Sequence, residues 1–137
     1  MLSIVYSAKV AGHTFEWRND WARMVVKDSR QEPIAWWDVP STYPGELAFE
    51  SAIESCLAEI LAQALHNAVL EYCSETDADT LLGYGVERHL ACVIVRERGD
   101  NRSILRGELR AVCAEVAPNA DADLIADYLT DVVGEGD

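Results

Sequence analysis

Residues 46–72 read ELAFESAIESCLAEILAQALHNAVLEY, with no glycine or proline anywhere inside. Their apolar members Phe49, Ile53, Leu57, Ile60, Leu61, Ala64, Leu65 and Ala68 recur at intervals of three and four. That spacing puts them on one face of an α-helix, and the Ala, Leu and Glu content favours the same conformation. The segment before it, Pro40-Ser41-Thr42-Tyr43-Pro44-Gly45, is turn chemistry and marks a switch of period. A long helix from Glu46 to about Tyr72 is therefore the fixed point of the fold, and it needs a partner layer on its apolar face.

Upstream the period is two. Leu2, Ile4, Tyr6, Ala8 and Val10 share one face of a strand. Ala11-Gly12-His13 supplies a turn, and Thr14 to Arg18 resumes the alternation with Phe15 and Trp17 inward. Asn19-Asp20 breaks it, Ala22 to Lys27 reads as a third strand, and residues 28–33 form a turn before a fourth strand, Ile34 to Val39. An antiparallel meander of about four strands follows, with the long helix as its cover.

Downstream the pattern is mainly helical. A short helix is expected from Ala78 to Leu82, capped by Thr76 or Asp77. Residues 86–98 contain the apolar run Leu90 to Val95, which fits helix or strand; helical neighbours tip the reading to helix. Ser103 to Val116 and Ala122 to Val133 read as two more helices, separated by Pro118-Asn119 and ended by Gly134. The fold class is α+β in a single domain, residues 1–137: strand-rich over 1–40, the long helix over 46–73, and mainly helical over 76–133.

With 50% hydrophobic residues the chain can build one core. The start lacks a basic n-region, and no apolar run approaches the ~20 residues of a membrane span, so a cytoplasmic location is expected. The four cysteines, Cys56, Cys73, Cys92 and Cys113, include no CxxC pair and read as free thiols in a reducing compartment.

Charge is the unusual property: 24 acids against 11 Lys and Arg give a formal net charge of −13. Such a field opposes nucleic acid and anionic membrane as direct partners and favours a basic protein surface. The distribution is uneven. Residues 31–87 hold eleven acids and 111–137 hold seven, and neither block has a Lys or Arg; residues 88–110 hold six arginines. Glu46, Glu50 and Glu54 lie four apart on the long helix, and Asp123, Asp127 and Asp131 four apart on the last one. Each triplet forms a row of like charge whose self-repulsion costs a few tenths of a kcal/mol per pair. Arg102, Arg106 and Arg110 are also four apart, so an antiparallel helix pair would match the Asp row with an Arg row. The Glu row has no such answer nearby in sequence, and rows of carboxylates at this spacing imitate a phosphate backbone in a basic channel.

All four tryptophans, Trp17, Trp21, Trp36 and Trp37, lie in the strand-rich third. Neighbours on one strand face opposite sides, so Trp36 and Trp37 cannot share a core, and Trp36 is a candidate anchor on the second sheet face. Signatures of chemistry are lacking. His13, His66 and His89 stand apart, there is no metal-ligand spacing, and Gly83-Tyr84-Gly85 lacks the remaining residues of a phosphate loop, which leaves a turn between helices. The expected protein is not an enzyme and carries no cofactor or metal.

In charge and size alone the chain is similar to phage-encoded anti-CRISPR and anti-restriction proteins. That likeness implies a small acidic inhibitor of a basic nucleic-acid-handling complex, with Glu46, Glu50, Glu54, Asp123, Asp127, Asp131 and Trp36 as partner-binding residues. Alternatives are an immunity protein neutralising a basic nuclease toxin, and a homomeric assembly protein joined through Trp36, Trp37 and the arginine helix.

Overall fold

A computed structural model describes residues 5–18, 23–38 and 45–133. Leu2, Ile4, Trp21, Ala22, Val39, the switch segment 40–44 and Gly134 lie outside the described residues. Strands β1 (Val5–Val10), β2 (His13–Arg18), β3 (Arg23–Lys27) and β4 (Pro33–Asp38) are followed by helices α1 (Glu46–Tyr72), α2 (Glu75–Tyr84), α3 (Val86–Glu97), α4 (Asn101–Val116) and α5 (Ala122–Val133). The strands pair in the order β1-β2-β3-β4, all antiparallel. This is the expected α+β architecture, with the strand-rich third first and the helices after it.

The register explains the two sheet faces. Ala8, Phe15, Val26 and Ala35 form one cross-strand row, and Ser7, Glu16, Val25 and Trp36 form the row that faces the other way. Phe15, Trp17, Met24 and Val26 are fully buried beneath α1, and the Tyr6 ring lies 5.8 Å from that of Phe49. Ala11 and Gly12 both take positive φ, 54° and 74°, as a two-residue hairpin whose twist matches right-handed strands requires. Between β3 and β4 the register slips at Val26/Lys27, so Ile34 is an extra residue bulged into the edge strand.

α1 buries Phe49, Ala52, Ile53, Cys56, Leu57, Leu61, Ala64, Leu65, Ala68 and Val69. The band is wider than a sheet alone can cover, because α1 is also packed by α3 and α5. A single core cluster runs from Val10 through these residues to Val133. The ambiguous segment 86–98 is the helix α3, burying Val86, Leu90, Ala91, Val93, Ile94 and Val95. Two helix starts differ from the sequence reading, for the same reason. α2 begins at Glu75 rather than Ala78, capped by Ser74, whose hydroxyl accepts the Asp77 N–H at 3.2 Å. α4 begins at Asn101 rather than Ser103, because the Asp100 carboxylate accepts the Arg102 N–H at 3.0 Å. In both, a capping oxygen upstream satisfies first-turn N–H groups that apolar spacing does not register.

Gly85, at φ 77°, closes α2 and opens α3, so the expected turn at Gly83-Tyr84-Gly85 shrinks to Gly85 alone, with Gly83 and Tyr84 still helical at the end of α2. Leu61→Ala, at a site with no exposure, should cost about 2–5 kcal/mol by urea titration. Gly85→Ala meets no neighbouring atom within 4 Å. Its cost should be the left-handed backbone alone, about 1–2 kcal/mol, and a larger loss would place an unseen contact there.

Candidate binding surface

The two carboxylate rows fare differently once the helices pack. α4 and α5 lie side by side with their Arg and Asp rows facing. Arg110 donates from Nε and Nη2 to the two carboxylate oxygens of Asp123, at 2.8 and 3.1 Å, and Arg106 donates through Nη2 to Asp127. The spacing of four on each helix brings successive turns into register, so the structural account of the Asp row holds at these two rungs. Asp131, a turn further on, is exposed. Hydrogen bonding from Arg110 is the main reason the Asp123 carboxyl sits below the usual carboxylate range, and it holds the guanidinium above its ordinary value in turn.

The Glu row is answered in part from far along the chain. α3 returns alongside α1 in the opposite direction, placing Arg98 Nη2 at 3.4 Å from Glu50 Oε1. Arg98 is held there by its left-handed backbone, φ 50°, at the end of α3, and by an Nε–H bond to the Val95 carbonyl at 3.2 Å. Glu46 is exposed, and Glu54 is half-buried. The neighbouring Glu54 carboxylate is the first cause that raises the Cys92 pKa. Burial, with Glu59 adding to it, pushes the Cys56 thiol up to about 12. All four cysteines are free, and these thiols stay neutral at ordinary pH.

Where α1 and α3 separate, a groove of about 670 Å³ opens between them. Ala58 and Ala62, a turn apart on α1, leave room that larger side chains would fill. Trp37 stands at one wall, and Glu54, Glu59, Glu87, Arg88 and Cys92 supply the polar groups. The Glu87 Oε2 atom is shielded from solvent and has no hydrogen-bond donor among the described residues. Trp36 and Trp37 do face opposite sides: Trp37 packs against the core, whereas Trp36 is 54% exposed on the outer face. Glu59 and Glu87 were not marked by the sequence, and Trp37 only as part of a homomeric interface; the one available signal for the groove was the i, i+4, i+8 series Glu54, Ala58, Ala62, a helix stripe of small residues below a carboxylate.

His89 Nε2 lies 2.7 Å from Glu108 Oε2 on the exposed faces of α3 and α4. Among the described residues no three His, Cys, Asp or Glu side chains gather where a metal ion would be held, and no helix is long and apolar enough to cross a membrane. No protein-family model matches the chain, and neither curated proteins nor solved structures yield a match.

The depressed Asp123 value has a pH signature. A carboxylate with a lowered folded pKa adds stability above its unfolded pKa, about 4, and loses it as pH falls through the folded value. Asp123→Asn should therefore lower the urea midpoint at neutral pH, and the gap to the parent should narrow as pH falls below the ordinary carboxylate range. A gap that persists in acid would mean that the carboxylate is not the source.

Proposed function

We propose that this chain is a non-enzymatic binding protein: a small acidic inhibitor that docks on the basic surface of a nucleic-acid-handling complex, in the manner of anti-CRISPR or anti-restriction proteins. One observation carries the reading. The charge on α4 and α5 is partly met within the fold, by Arg106 and Arg110, whereas α1 and α2 together show one ion pair among the described residues, Glu50 with Arg98. An intramolecular purpose accounts for the first set and not for the second. Glu46, Glu54 and Glu59 on α1, with Glu75, Asp77 and Asp79 on α2, leave a negative surface that a basic partner would neutralise. Solubility alone asks for charges of both signs interspersed, and residues 31–87 contain no cation. An immunity protein for a basic nuclease would use the same surface, and the partner's identity separates the two.

A second reading, self-association, draws on β4. It is an edge strand, and Ile34 and Trp36 are about half exposed, at 52% and 54%. Unpaired edges invite a second strand, although the Ile34 bulge and Pro33 blunt this one. A strict monomer at high concentration removes this reading.

The leading proposal is tested by affinity capture from host cytoplasm at low and high ionic strength, with the captured protein identified. The expected catch is a basic nucleic-acid-binding protein held at about 0.05 M salt and released near about 0.5 M, where screening reaches only a few ångströms. Glu46→Gln with Glu50→Gln and Glu54→Gln should keep the fold and lose the catch. Capture indifferent to both salt and this triple change would overturn the proposal.

A further inference from the structure

We infer that the groove between α1 and α3 receives an arginine-bearing segment of the protein partner, its guanidinium seated between the Trp37 ring and the carboxylates of Glu54, Glu59 and Glu87. The inference rests on the proposed function and names the contact through which that surface is recognised. Three features of the groove select this occupant.

Its charge is one-sided: three carboxylates line it against one cation, Arg88. Its wall is an aromatic ring. A guanidinium stacks on an indole face and can still donate sideways in its own plane to carboxylates, which a compact ammonium does less well. Its volume, about 670 Å³, exceeds a single side chain and suits a short stretch of chain carrying one.

Glu87 supplies an independent indication. Its Oε2 is withdrawn from water and lacks a donor, an arrangement that costs free energy when the group is left alone. The terminal carboxylate torsion is soft, so a small turn presents that oxygen to a donor arriving in the groove. Glu54 and the Cys92 thiol line the groove together. The cation that α3 does provide to α1, Arg98, is engaged further along the helix pair with Glu50. The floor residues Ala58 and Ala62 keep the site open, and any larger apolar side chain there would close it.

The experiment uses the full chain and three probes: a short peptide with three arginines between glycines, the same peptide with lysines, and free spermidine. Binding is followed by titration calorimetry and by the indole N–H resonance of Trp37. The arginine peptide should shift that resonance and bind about tenfold more tightly than the lysine peptide or spermidine, the margin expected of one charge-assisted planar contact. Glu59→Gln with Glu87→Gln should remove the difference, and Ala58→Leu should block the peptide while the circular dichroism spectrum stays unchanged. Glu115→Gln, at an exposed position on α4, should leave peptide binding as it was. Equal binding of all three probes would overturn the inference in favour of diffuse charge, and tighter spermidine would assign the groove to a free cation. The broader proposal fails separately. If the Glu59/Glu87 double variant still captures the partner and the Glu46/Glu50/Glu54 variant does not, only the groove assignment falls.

Discussion

The structure depends on how α1 buries its wide apolar band. A helix of 27 residues is about 40 Å long, and a four-stranded sheet with strands of five or six residues cannot cover all of it. The sheet takes the first part, where Phe49 and Ile53 meet the inner rows of Phe15, Trp17, Met24 and Val26. The rest of the band, through Leu61, Leu65 and Val69, is closed by α3 and α5. α2, α3 and α5 pack on α1, and α4 joins them through α5 and α3, which is why one core cluster joins strands and helices.

That packing sorts the charge. α4 and α5 come together because each has an apolar face left for the core, Leu105 and Leu109 on one and Ile125 and Leu129 on the other. Once they are antiparallel, rows with a spacing of four on both helices meet rung by rung, and the repulsion within the Asp row is offset at Arg106 and Arg110. Both pairs are exposed, so their worth is modest and salt-sensitive. On α1 the return of α3 sets Arg98 beside Glu50, while Glu87, near the start of α3, lines the groove with Glu54 and Glu59.

The groove follows from the same geometry. Two helices packed through Ile53, Leu57, Leu90 and Ile94 are kept at a set separation by those side chains. Where the facing residues shrink to Ala58 and Ala62, space remains at the rim. Trp37 reaches it because the inner face of β4 points toward α1, while Trp36, one residue earlier, must point away. A one-residue change of register would have exchanged the two tryptophans.

The sequence by itself determined the order of the elements and their types, except over 86–98, where the apolar run fits helix and strand alike and the structure decided for the helix α3. Strand period, helix period and the turn at 40–45 are local properties, legible wherever apolar residues alternate or recur by three and four. It determined as well that Trp36 and Trp37 face opposite ways, and that the Asp row could be matched by the Arg row. The starts of α2 and α4 escaped it, since Ser74 and Asp100 act by hydrogen bonds to backbone rather than by apolar spacing. Only the tertiary structure decided that Arg98 answers Glu50, that Trp37 rather than Trp36 joins Glu54, Glu59 and Glu87, and that alanines leave a groove among them. These relations join residues up to 50 positions apart, from Trp37 to Glu87. They are set by the direction and distance at which α3 packs on α1, which no local spacing in the chain specifies.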